Sequence, residues 1–148
     1  MTAISAAGTT VHYSTAGKGP GMLLVHGTSI GAQANFGHVV ERFTDQRQVF
    51  SPDYAGCGNS TIPPGDLKLD TLVEQIAATI RHASDGPVDL LGDSLGAVAA
   101  TAARYPALVR RLVLVAGWCW SQAGPTAAMH AIKWYSAPGQ SWRDWMPS

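Results

Sequence analysis

The sequence predicts an α/β fold, a mostly parallel sheet with helices on both faces, and three observations carry that prediction. Short apolar runs suited to buried strands alternate along the chain with segments of amphipathic helical period. Pro and Gly fall at the junctions between them. At 46% hydrophobic and 14% charged residues, the 148-residue chain holds enough apolar material for one core of ordinary domain size. That composition excludes overall disorder, and the length excludes a two-domain enzyme.

Residues Ile4 to Ser14 read as a hairpin that turns near Ala7 and Gly8. The stretch Gly17 to Gly21 is a loop into the apolar run Met22 to Val25, a buried strand. Phe36, Val39, Val40 and Phe43 keep the i, i+3, i+4, i+7 spacing of one helix face, and Val49 to Ser51 form a short strand closed by Pro52. Asp70 is the expected N-cap of a helix whose apolar face is Leu72, Val73, Ile76 and Ile80, and which ends at Asp85, Gly86 and Pro87. The strand Val88 to Leu91 follows, and after Ser94 an Ala-rich helix runs to about Tyr105, stopped by Pro106. Leu112 to Val115 make a further strand. Met129 to Tyr135 read as a short helix, and the segment after it has little regular pattern.

Ten Lys and Arg balance ten Asp and Glu, so no global field recruits nucleic acid or an anionic membrane, and neither is an expected partner. No apolar run reaches the roughly 18 to 20 residues of a membrane span, and the start MTAISAAGTT lacks the basic flank and apolar core of a signal peptide. A cytoplasmic location is expected. Cys57 and Cys119 lack zinc-site spacing and are too few for a disulfide framework, so both are expected as free thiols. The charges are uneven: residues 1–94 hold five basic and nine acidic groups, and residues 95–148 hold five basic and one acidic. All five Trp lie at 118, 120, 134, 142 and 145, so the composition changes after Gly117.

The strongest chemical signal is Gly92-Asp93-Ser94-Leu95-Gly96, set between the strand VDLL and the helix after it. A serine at a sharp strand-to-helix turn is forced into strained backbone angles, with glycines on either side where side chains would collide. Its Oγ is thereby exposed above the positive end of a helix, where free N–H groups suit a developing oxyanion. Leu95 N–H is the natural donor. The bland reading, a helix start capped by Asp93 or Ser94, is disfavoured by the strand and helix on the correct sides.

A second signal is His26-Gly27-Thr28 at the end of the strand MLLV, where the following loop offers an oxyanion donor from Thr28 or Ser29. His26 itself is expected to hold the loop by hydrogen bonds rather than titrate in catalysis. The third is Asp53-Tyr54-Ala55-Gly56-Cys57-Gly58-Asn59-Ser60, directly after the strand VFSP. Its glycines permit positive backbone angles, Asp53 and Ser60 tie the loop down, and Cys57 is a small filler.

With these three motifs in this order, residues 3 to 120 resemble the α/β-hydrolase fold superfamily, and Cys57 stands where relatives often carry His. The resemblance implies a serine esterase or lipase-like hydrolase with Ser94 as nucleophile, an oxyanion hole from Leu95 and Thr28 or Ser29, and His26, Gly27, Gly92, Gly96 and Asp53 in structural roles. It implies no cofactor and no metal, and a small ester or similar molecule as substrate. The string Gly-Asp-Ser-Leu also marks the GDSL esterases, but there it sits on the first strand, whereas here four strand-like segments precede it. Gly17, Gly19 and Gly21 precede their strand and so make no dinucleotide fingerprint.

Related enzymes order the triad as Ser, then Asp or Glu, then His. Only 54 residues follow Ser94 here, with His130 and Asp144 in the reverse order, so the triad acid and base stay unassigned. The expected architecture is therefore an α/β-hydrolase-like sheet truncated after the sixth strand. Residues 1–120 would form the N-terminal part of the core, and residues 121–148 the start of a cap or an irregular tail. The chain alone is expected to be weak or inactive, with an open apolar edge at Leu112 to Val115 that pairs with a second copy or a complementary chain. Two other readings stay open: a non-catalytic ligand- or partner-binding member of the fold, and a lyase or haloperoxidase built on it.

Overall fold

The computed structural model describes residues 1–27, 30–94, 101 and 104–115, together with the backbone of 133–135. Among the described residues, one sheet holds β1 (Thr2–Ala6), β2 (Thr9–Ala16), β3 (Gly21–Val25), β4 (Gln48–Pro52), β5 (Val88–Asp93), β6 (Val109–Val115) and β7 (Lys133–Tyr135). Their spatial order is β1-β2-β4-β3-β5-β6-β7. The four central strands, β4, β3, β5 and β6, run parallel, and the β1–β2 hairpin adds an antiparallel edge through β2 and β4. The hairpin turns through Ala7 at φ 49° and Gly8 at φ 77°, the pair of positive angles that a two-residue turn between twisted strands requires.

Two helices, α1 (Ala32–Phe36) and α2 (Leu69–Ala83), pack on opposite faces. Alternation along β3 explains how one strand serves both cores. Met22 and Leu24 meet Phe36 of α1 and Val49, whereas Leu23 and Val25 join the cluster that Leu72, Val73, Ile76 and Ile80 of α2 cover. Leu23, Leu24 and Val25 are all 0% exposed, and each such burial stabilises the fold by about 1.5–3 kcal/mol.

At the opposite end from the loops that follow the strands, Asp89 near the start of β5 is fully buried among three guanidinium groups. Arg110 Nε lies 2.8 Å from Oδ1, Arg47 Nε 3.4 Å from Oδ2 and Arg111 Nη1 4.0 Å from Oδ2. Arg47 precedes β4, and Arg110 and Arg111 lie in β6, so one carboxylate ties together the beginnings of three strands. The hydrogen bond to Asp89 raises the Arg110 pKa further above its ordinary value.

Four expectations need correction. The apolar spacing from Phe36 to Phe43 does not mark one helix: α1 stops at Phe36, and a separate 3-10 turn covers Val40–Arg42. Gly37, a weak helix former, still has helical angles, and the chain has left the helix by Val39 at φ −118°. The same four apolar side chains still reach one core. Asp70 is not the N-cap of α2: that position is Lys68, without a side-chain cap, and Asp70 lies in the first turn, paired with Arg104 at 2.6 Å. A carboxylate there complements the helix dipole as a cap would.

The short helix expected at Met129 to Tyr135 is instead strand at 133–135, with residues 129–132 outside the described set. That strand corrects the picture of a bare β6 edge, because Leu112, Val113 and Leu114 pair antiparallel with Tyr135, Trp134 and Lys133. An apolar strand edge leaves its N–H and C=O groups unsatisfied, which is what such pairing relieves. Of the Ala-rich helix after Ser94, Thr101 and Arg104 are helical and most of the rest lies outside the described residues.

Candidate active site

Register brings the three sequence motifs together. Val25 lies beside Gly92 and Leu23 beside Phe50, so β3, β4 and β5 end at one level, and the residues after them share one rim of the sheet. Those residues are His26 and Gly27, then Asp53 and Tyr54, then Ser94.

Ser94 has φ +60°, a left-handed backbone that costs a residue with a Cβ about 1–2 kcal/mol. Its N–H donates to Val115 O at 2.9 Å, so the end of β6 holds the strained turn in place. Gly27 lies against it: a Cβ on Gly27 would sit 3.3 Å from both Ser94 Cβ and Asp93 Oδ2. A side chain at position 27 would therefore push the two loops apart. Gly27 N–H donates to Asn35 Oδ1 of α1 at 2.9 Å. Gly92 is buried in β5, and the expected donors Thr28, Ser29 and Leu95, with Gly96, lie outside the described residues.

His26 is 0% exposed and uses both ring nitrogens locally. Nε2 accepts the Tyr54 N–H at 3.0 Å, which places the ring proton on Nδ1, where it is donated to Gly27 O at 2.7 Å. The ring also meets the Tyr54 ring edge-on at 4.7 Å. This neutral tautomer ties the end of β3 to the loop after β4, with no ring nitrogen left for Ser94.

Burial lowers the His26 pKa, against a smaller upward pull from its bond to Gly27 and from the nearby Asp53 carboxylate. Unfolded chains bind more protons here between the lowered value and the ordinary 6.5, so the stabilisation is complete above about 6.5 and is lost as pH falls through that range. Midpoints of urea unfolding from about pH 7.5 to about pH 5 are expected to fall less steeply in His26→Gln than in the wild type. Parallel slopes would locate the acid sensitivity at other groups.

The loop after β4 is held at many points. Asp53 Oδ1 accepts the Ala32 N–H at 2.8 Å, Asp53 N–H donates to His12 O, and Ser60 Oγ donates to Asp53 O while accepting the His12 N–H. Gly58 sits at φ +52°, and a Cβ there would fall 1.9 Å from Asp53 Oδ2, so only glycine fits. Cys57 is half-buried against the α2-side core, and burial pushes its thiol pKa up, which favours the unreactive protonated form.

Two residues that the sequence reading passed over position this rim. Asn35 holds Gly27, and the buried Gln75 of α2 accepts the Ala55 N–H while donating to Thr9 Oγ1. The polar Gln75 on the apolar face of α2, beside Leu72 and Ile76, was the available signal. Among the described residues, no hydrogen bond reaches Ser94 Oγ, and His130 and Asp144 lie outside them. Among the described residues, no three His, Cys, Asp or Glu side chains gather as metal ligands, and no helix is long and apolar enough to cross a membrane.

Comparison with known proteins bears on this rim. A family model described as alpha/beta hydrolase fold matches residues 20–148. A pyrrolizixenacetamide deacetylase of Xenorhabdus hominickii is 40% identical over 114 residues, 76% of this chain and 43% of the relative. A 2-hydroxy-6-oxo-2,4-heptadienoate hydrolase of Pseudomonas putida is 33% identical over 117 residues, 76% of this chain and 42% of the relative. The structure of a meta-cleavage product hydrolase from Pseudomonas fluorescens superposes with a TM-score of 0.74 at 27% identity, covering 80% of this chain and 45% of that one. The chain thus spans less than half the length of these relatives.

Proposed function

The chain belongs to the alpha/beta hydrolase fold family, and from that premise we propose that it serves a hydrolase whose nucleophile is Ser94. The observation that carries this reading is the strained Ser94 at the end of β5, with a glycine of a second loop packed against it. Strained non-glycine residues cluster at active sites, and Ser94 is one held in place by its neighbours at the end of a central strand.

In this reaction Ser94 Oγ attacks a carbonyl carbon and its proton passes to a base. The carbonyl oxygen becomes an oxyanion held by the N–H groups of Leu95 and of Thr28 or Ser29. Collapse expels the leaving group, which takes that proton from the base; water, giving a proton to the same base, then releases the acyl group as an acid and Ser94 regains its hydroxyl proton. Small carbonyl compounds fit this chemistry, and the deacetylase and heptadienoate hydrolase among the relatives support that class. Residues 1–120 act as the N-terminal part of the core in this reading, with 121–148 as the start of a cap that returns to the sheet at β7. The setting is cytoplasmic.

The test is a neutral fluorophosphonate, which bonds covalently to an activated serine, followed by intact mass and peptide mapping. With no base among the described residues, a slow adduct is expected, on Ser94 before any other serine, and a chain modified elsewhere or not at all would sink the proposal. Since no described residue supplies a base, turnover of a short activated ester should stay far below the roughly 1–10³ s⁻¹ usual for enzymes. Turnover in that range, lost in both Ser94→Ala and His130→Ala, would instead make His130 the base.

A further inference from the structure

We infer that Asn35 is a positioning residue for chemistry at Ser94, holding the Gly27 loop against the nucleophile; the inference rests on the reading of Ser94 given above. Asn35 Oδ1 accepts the Gly27 N–H at 2.9 Å, and the α-carbon that follows this N–H is the one a Cβ would bring to 3.3 Å from Ser94 Cβ. A single side chain thus holds a residue that lies close against Ser94.

Two features of α1 say that this contact is what the residue is for. Asparagine is a poor helix former, and Asn35 lies in the last turn of a five-residue helix, where its side chain makes no cap. The helix is itself anchored independently, by Phe36 in the core with Met22 and Leu24, and by the Ala32 N–H on Asp53 Oδ1. Asn35 therefore presents its amide oxygen from a fixed platform.

The bond also assigns a role by exclusion. With its N–H committed to Asn35, Gly27 does not donate to an oxyanion, so a donor from this loop comes from Thr28 or Ser29. Asn35 bonds Gly27 and, among the described residues, makes no hydrogen bond to Ser94, so its effect is one of position. Losing it would let the loop drift, and misplacement by about 1 Å costs on the order of 100-fold in rate.

The experiment measures the second-order rate of Ser94 modification by a neutral fluorophosphonate in the 148-residue chain, alongside thermal melting. Asn35→Leu is expected to slow modification about 10- to 100-fold, while Asn35→Asp, which keeps an acceptor at the same place, stays within about threefold of wild type. Amide exchange adds a readout that needs no reactivity: the Gly27 N–H is protected in the wild type and in Asn35→Asp, and exchanges fast in Asn35→Leu. Equal modification rates in Asn35→Leu and wild type would overturn the inference, and so would an unprotected Gly27 amide in the wild type, even if Asn35→Leu failed to fold. A wild type that never reacts at Ser94 while its Gly27 amide is protected overturns the nucleophile reading, and the inference with it.

Discussion

Asp89→Ala is expected to destabilise the fold by about 3–5 kcal/mol, the usual cost of removing one partner from a buried ion pair. The carboxylate is 0% exposed and neutralises part of a cluster that also holds Arg47, Arg110 and Arg111, whose side chains are 18%, 34% and 14% exposed. Without it, three cations that cannot fully rehydrate face one another at the starts of β4 and β6. Asp89→Asn keeps one acceptor for Arg110 Nε and is expected to lose less. Chemical denaturation at constant m-value reads the difference directly. A shift of under about 1 kcal/mol in Asp89→Ala would show that the guanidinium groups swing out to water on their long stems.

Ser94 variants are expected to separate reactivity from stability. Ser94→Ala keeps the Cβ and the left-handed backbone but has no Oγ, so covalent modification should vanish while the melting temperature barely moves. Ser94→Gly also loses modification but relieves the strain at φ +60°. The gain of about 1–2 kcal/mol from that relief exceeds the about 0.5–1 kcal/mol that glycine loses in chain entropy, so this variant should melt higher than wild type. A lower melting point for Ser94→Gly would mean that Oγ itself supports the turn. Persistent adducts in Ser94→Ala would mean that another side chain is the nucleophile.

The parallel centre of the sheet was legible because Met22 to Val25 in β3 and Val49 and Phe50 in β4 are short apolar runs whose burial leaves no alternation to misread. The strained turn at Ser94 was legible for a different reason: glycine spacing encodes backbone geometry locally, and φ +60° is a local property. The helix spacing from Phe36 to Phe43 gave the right buried set but the wrong element. Burial constrains which side chains point inward, and a turn at Gly37 can deliver the same four inward as a helix would.

Asn35 and Gln75 stayed hidden because an amide side chain carries no pattern that names its partner, whether near in sequence like Gly27 or remote like Thr9. Likewise β7 has three residues, too few to show a period.

The place of β3 in the sheet has a consequence for how the chain folds. Its neighbours on both sides, β4 and β5, come later in the sequence, with Met22 paired to Val49 on one side and to Asp89 on the other. During synthesis, β3 thus emerges before both of its partners and keeps at least one unpaired edge until residue 93 is free. Such distant pairings form slowly, and open edges recruit other nascent chains in the interval. The β1–β2 hairpin closes within about 1–10 μs, yet it cannot shield β3, because its own place in the sheet lies beyond β4. Yield on refolding should therefore fall as protein concentration rises, with β3 as the segment that captures its neighbours.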